Sequence, residues 1–298
     1  MKKIILSFVM IPALCFAQGE DADILLNGTV SALNNQIKDV NYPTEAQDAV
    51  NLVFLMNKLS DLQDQIDVLM YLSLSDAGTV MDQDGNIYRY LLYGDQIWTV
   101  QNAAVITYRD GTPIPQVTDD AEWANLVTGA WCYYNNDPTK GILYNWYAVA
   151  GIHDTDPNTP NKELAPLGWH IPSDQEWLEL ESFLITNGYN YDGSSSGNNL
   201  PKAIASKYGW NTSDTFGVPG NDQYLNNSSG FNAKPTGTRY GFQSGSFSEA
   251  GSLAVFWTST PSFDDYAYFY TLGNESDSTH LYGGNFISQG MSVRFVKD

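Results

Sequence analysis

The sequence predicts an α+β chain in two parts, a helical N-terminal segment followed by a loop-rich mixed domain of short twisted strands and a few helices. Three observations lead there. Apolar residues repeat at heptad spacing before residue 72; beyond Ser75 the texture turns to short strand-like runs divided by Gly, Asn, Asp and Ser; and all eight tryptophans lie at or after Trp98. A domain with few regular elements must be held by such aromatic residues, and most of the tryptophans are expected in the core.

Lys2 and Lys3 precede an apolar run from Ile4 to Phe16, and Cys15-Phe16-Ala17 places small residues at the −3 and −1 positions before Gln18. Residues 1–17 therefore read as a cleaved secretory signal, for export to the medium or the outer cell surface. A lipoprotein acylated at Cys15 is the rival reading, which bulky Leu14 disfavours. No other stretch is apolar enough to span a bilayer.

The 298 residues carry 14 Lys+Arg against 34 Asp+Glu, a net charge of −20, and loss of Lys2 and Lys3 makes the balance more acidic still. A surface of that sign repels a phosphate backbone, so nucleic acid is excluded as a partner. With Cys15 removed, Cys132 is the one remaining cysteine. An internal disulfide and any zinc site built from several thiolates are then ruled out.

Residues 18–79 form the predicted helical part. Leu26, Val30, Leu33, Ile37 and Val40 step by 4, 3, 4 and 3; after Pro43, Leu52, Leu55, Leu59, Leu62, Ile66 and Leu69 continue the pattern, with Asp61, Asp64 and Asp67 on the opposite side. The heptads fit either a coiled coil that makes a homo-oligomer through residues 24–72 or an antiparallel hairpin packed on its own domain, and three repeats do not choose between them.

Residues 80–298 form the mixed domain. Asp84-Gly85 and Asp110-Gly111 are turn signals, and Ile87 to Leu92 and Gln96 to Val100 read as paired strands. Gly141 to Val149 reads as a short helix, and Ser173-Asp174-Gln175-Glu176 is a capping box opening a helix with Trp177, Leu180 and Phe183 at helical spacing. Asn190 to Ser229 reads as long polar loop.

Several stretches of this domain resemble a known family. They are Asp82-Gln83-Asp84-Gly85-Asn86-Ile87-Tyr88, Asp110-Gly111-Thr112-Pro113-Ile114-Pro115, Tyr133-Tyr134-Asn135-Asn136-Asp137, Leu143-Tyr144-Asn145-Trp146-Tyr147-Ala148-Val149, Gly168-Trp169-His170-Ile171-Pro172-Ser173, Trp257-Thr258-Ser259-Thr260 and Ser292-Val293-Arg294-Phe295-Val296-Lys297-Asp298. Their order and spacing resemble the Fibrobacter succinogenes major paralogous domain, over about residues 80 to 298. The resemblance implies a secreted bacterial domain with a C-type-lectin-like fold, related to formylglycine-generating enzymes. Relatives commonly carry a cysteine where this chain has Ala165 and another where it has Phe295, which implies a bond replaced here by packing.

Catalysis is not expected. Formylglycine-generating enzymes bind copper through a pair of cysteines, which Cys132 alone cannot supply. His170 reads as structural, with a ring hydrogen bond to backbone; Glu176 and Glu179 read as solvated, dipole-complementing residues of one exposed helix face. Gly193-Ser194-Ser195-Ser196-Gly197 lacks the strand and helix that a nucleophile elbow needs. No cofactor is expected, with one candidate exception: Asp154, Asp156, Asn158 and Asn161 space oxygen ligands as a calcium loop does, without an EF-hand's glycine or terminal glutamate.

The expected recognition site lies near the C-terminus. Tyr266, Tyr268 and Tyr270 alternate at period two, and Asn274, Ser276, His280, Tyr282, Asn285 and Ser288 follow. Tyrosine among Ser, Gly and Asn is the composition of adaptable binding surfaces, and the resemblance implies that the C-terminal strands form the recognition face. The expected function is non-catalytic binding of a glycan or a surface protein, with a structural subunit of a surface fibre as the alternative.

Overall fold

The computed structural model describes residues 55, 58–62, 77–242 and 244–298. The predicted signal peptide, the first heptad run and most of the second lie outside the described residues. Residues 55 and 58–62 are helical, with Leu55, Leu59 and Leu62 exposed.

The mixed domain is mostly strand. In chain order the strands are β1 (Ala77–Met81), β2 (Ile87–Tyr93), β3 (Gln96–Thr99), β4 (Trp131–Tyr133), β5 (Ile142–Tyr144), β6 (Trp169–His170), β7 (Thr238–Arg239), β8 (Phe247–Ser248), β9 (Leu253–Pro261), β10 (Tyr266–Gly273), β11 (His280–Phe286) and β12 (Val296–Lys297). The helices are α1 (Asp120–Ala124), α2 (Trp146–Val149), α3 (Asp174–Thr186) and α4 (Pro201–Ile204). A five-stranded sheet runs β1-β2-β3-β12-β6 and a three-stranded sheet runs β11-β10-β9, with β4-β5 and β7-β8 as two small pairs.

The predicted strand pair is β2 with β3, Tyr90 opposite Thr99 through Tyr93 opposite Gln96. The Asp84-Gly85 signal closes the preceding hairpin, and Gly85 sits at φ 86°, open to a side chain in space but not in backbone conformation. Buried Asp82 completes that turn by accepting from the Asp84 and Asn86 amides, the Asn86 side chain and the Tyr88 hydroxyl. The Ser173–Glu176 capping box forms in both directions at the head of α3.

Two expectations are corrected. Gly141 to Val149 is not one helix: Ile142, Leu143 and Tyr144 are buried and pair with β4, and α2 starts only after Asn145, whose side chain caps it. The Asn190 to Ser229 stretch contains α4, where the Lys202 ammonium is buried against the Val218 and Asp222 carbonyls and the Asn226 side chain.

Two core clusters lie on either side of β9 and β10. Val255, Trp257 and Ala267 belong to one, with Tyr88, Tyr144, Ala165 and Phe295. Ala254, Phe256, Tyr270 and Leu272 belong to the other, with Trp98, Trp177 and Phe231. Burial on both faces explains why Ala254-Val255-Phe256-Trp257 is continuously apolar rather than alternating. Ala165 and Phe295 belong to the same cluster. Residues 288–296 are buried throughout, and this run joins Tyr144, Arg239 and Phe256 by single bridges before β12.

Candidate functional site

The tyrosine strand lies in the middle of its sheet, and its depth changes along its length. Tyr270 is 2% exposed; its ring stacks on Trp177 at 4.3 Å and 13°, and its hydroxyl donates to Glu181 at 3.0 Å. It is a core residue, because α3 covers this end of β10. Tyr266 and Tyr268 are half-buried. The register shifts between Ala267 and Phe269, where β11 places Gly283 and Gly284 opposite Tyr268. A Cβ at Gly283 would sit 3.0 Å from the Tyr268 ring, so this glycine makes room for that tyrosine.

Around Tyr266 the rings form an exposed row. Phe263 stacks on Tyr266 at 5.0 Å, Tyr266 lies 4.7 Å from Phe286, and Phe286 lies 5.7 Å from Phe242. Phe263 is 62% exposed, Phe242 61% and Phe286 39%. The row is assembled from the β9–β10 connection, β10, the end of β11 and the loop after β7. Buried Ser288 holds that loop by accepting from the Phe242 amide at 3.1 Å. A second group joins Phe269, packed against the core, with exposed Tyr282 at 5.3 Å, and Tyr282 with exposed His280 at 5.5 Å.

Phe242, Phe263 and Phe286 were absent from the sequence-based site. Each is an apolar residue in a Gly, Ser or Asp setting, as in Tyr240-Gly241-Phe242 and Ser262-Phe263-Asp264-Asp265. That setting was the available signal.

The other expected residues are structural or peripheral. Asn274 exchanges backbone bonds with Ser252 and Gly220. The Ser276 hydroxyl donates to the Ser278 carbonyl, His280 is exposed beside the Ser278 hydroxyl, and the Asn285 side chain accepts from the Phe286 amide. In the candidate calcium loop, Asp154 accepts from the Asp156 amide and Asp156 from the amide and side chain of Asn158. These bonds hold the Asp156 carboxyl below its ordinary range. Asp154, Asp156 and Asn161 line a cleft of about 400 Å³ with His153, while no group of three His, Cys, Asp or Glu suited to a metal ion is found among the described residues.

His170 and Glu176 depart from their expected roles. The His170 ring lies between two carboxylates, Nε2 to Glu176 at 2.7 Å and Nδ1 to Asp298 at 2.8 Å, rather than on backbone. Glu176 is half-buried and also accepts from the Ser173 amide and hydroxyl. The Glu176 bond raises His170 to about 9, so the ring is a cation at neutral pH and no general base. Burial pushes the Cys132 thiol up to about 11, leaving little thiolate.

The raised His170 value has a consequence for stability. A histidine of ordinary value 6.5 in the unfolded chain and about 9 in the fold contributes fully below pH 6.5 and loses that contribution as pH rises through 9. After discounting for the 37% exposed ring, the loss is on the order of 1–2 kcal/mol. Denaturant unfolding of the wild type should show that decline between pH 7 and 10, and H170Q should lack it. Parallel profiles for the two proteins would refute the clamp.

A comparison with protein families matches the chain to the Fibrobacter succinogenes major domain (Fib_succ_major) over residues 91–297. No curated protein and no solved structure gives a match. The chain belongs to the Fibrobacter succinogenes major domain family.

Proposed function

We propose that this family member is a non-catalytic binding protein, secreted or displayed at the outer cell surface, that recognises a glycan or a surface protein through the aromatic row on β10 and β11. The observation that carries this is the exposed run of Phe263, Tyr266, Phe286 and Phe242. Large apolar rings left together in water cost hydration free energy, and patches of this kind on soluble proteins mark interaction sites.

The mixed fold and the family's motifs support a C-type-lectin-like head, with the motif residues serving the framework. Asn145 caps α2, Asp82 closes a turn, Trp146 donates to the Thr258 carbonyl, and Arg294 is buried. The row lies on connecting segments that this framework presents, as recognition surfaces commonly do. Exposed Leu55, Leu59 and Leu62 support assembly of several heads through residues 24–72, which gains avidity on a repetitive partner.

The test is binding of the wild type and the F263A/Y266A/F286A variant to a broad glycan array, with and without calcium, and to native cell-surface protein. The variant should lose at least about tenfold in affinity and remain folded, since none of the three rings belongs to a core cluster. Undiminished binding by a folded variant would refute the site. Light scattering of the same preparation should give a mass above one chain, and a strictly monomeric protein would remove the oligomer from the proposal.

A further inference from the structure

The rings of the row lie close to parallel. Phe263 and Tyr266 lie within 29° of parallel, Tyr266 and Phe286 within 33°, and Phe286 and Phe242 within 31°. Tyr266 has two ring neighbours, Phe263 and Phe286, and Phe286 has Tyr266 and Phe242, while Phe263 and Phe242 end the row with one ring neighbour each. Tyr282 is placed likewise between Phe269 and His280. Stacking on a sugar ring needs an open aromatic face. Phe263 and Phe242, 62% and 61% exposed, have one ring neighbour each, so the rings alone suit aliphatic side chains and sugar rings alike, and charge must separate the two.

Charge narrows the partner further. From residue 240 to 293 the chain has Glu249, Asp264, Asp265, Glu275 and Asp277 and no Lys or Arg, and all five carboxylates are exposed. Arg239 and Arg294, which bound the stretch, are fully buried. Asp264 and Asp265 sit within the row itself, between Phe263 and Tyr266. A second copy of the row would bring the same two carboxylates against them, which opposes self-association there.

Resting on the binding role proposed above, we infer that the partner is a protein presenting an aliphatic groove rimmed by Lys and Arg, which the Phe263–Tyr266–Phe286–Phe242 ridge fills. The exposed rings seat among aliphatic side chains while Asp264 and Asp265 attract the basic rim.

The full chain is panned against a displayed ankyrin-repeat library randomised on its concave face and, in parallel, applied to a neutral and acidic glycan array. Selected repeats should carry aliphatic residues with Lys or Arg, and should weaken as salt is raised. They should lose at least about tenfold against F263S/F286S. They should also weaken against D264N/D265N, which leaves the rings in place and keeps a residue tolerant of the 45° φ at position 264. A saturable glycan signal abolished by F263S/F286S would overturn the partner class and leave the binding site standing. Repeats selected without basic residues, or insensitive to salt and to D264N/D265N, would overturn the charge argument. Binders indifferent to both variants would overturn the site as well.

Discussion

Arg294→Met should cost about 3–5 kcal/mol of stability, the range for breaking a buried charged network. The guanidinium is fully buried and no carboxylate pairs with it among its described hydrogen bonds. It donates to the Asn102 side chain at 2.9 Å, to the Thr99 and Phe231 carbonyls at 3.0 and 3.1 Å, and to the Asn232 carbonyl at 3.0 Å. Its carbon centre lies 4.8 Å from the Phe231 ring centroid. Burial pushes it down to about 9, which leaves it charged at neutral pH. Methionine fills similar volume but strands these acceptors, each costing about 1–3 kcal/mol when left unmet. Arg294→Lys keeps the charge without the planar fork and should fall between the two. Because Phe231 and Asn232 end the long 190–232 stretch, limited proteolysis of the methionine variant should cut there first. Denaturant unfolding reads the stability, and a loss under about 1 kcal/mol would show that packing alone holds this arginine.

The Arg294 site also shows why a loop-rich fold was only partly legible. Turn chemistry and caps are local, so β2 with β3, the Asp84-Gly85 hairpin and the Ser173 box could be read from neighbouring residues. Ile142-Leu143-Tyr144 could not: a short strand buried on every side has no alternation, and it was absorbed into the helix that follows. Nothing in their neighbouring residues marks Lys202 and Arg294 as buried cations. Only the fold brings the carbonyls of Val218 and Asp222 to one and those of Thr99, Phe231 and Asn232 to the other.

The site divides in the same way. Period two placed three tyrosines together, but periodicity carries no depth, and α3 covers Tyr270 while leaving Tyr266 and Tyr268 half-open. Phe242, Phe263 and Phe286 are far apart in sequence and meet only because β10 pairs with β11 and Ser288 holds the Phe242 loop. Exposed phenylalanine in a polar segment is locally unremarkable until two more lie beside it.

Trp177→Ala tests that division. Trp177 is fully buried and packs on Trp98 at 4.7 Å, Phe256 at 5.3 Å, Phe231 at 5.7 Å and Tyr270 at 4.3 Å. Its indole N–H has no acceptor among the described residues, so its contribution is packing. Truncation should cost about 3–5 kcal/mol, the range for large aromatics in a core. At about 2–4 °C per kcal/mol for a domain of this size, the melting temperature should fall by roughly 6–20 °C. Trp177→Phe keeps most of the ring and should cost markedly less. Tyr270→Ala should behave as a milder Trp177→Ala, lowering stability through the lost stack and the lost bond to Glu181. Phe263→Ala, a short distance along the same sheet, should do the opposite, weakening partner binding with little change in melting temperature. If Tyr270→Ala left stability intact and abolished binding, the tyrosine would be a ligand residue after all, and the covering of β10 by α3 would have to open in solution.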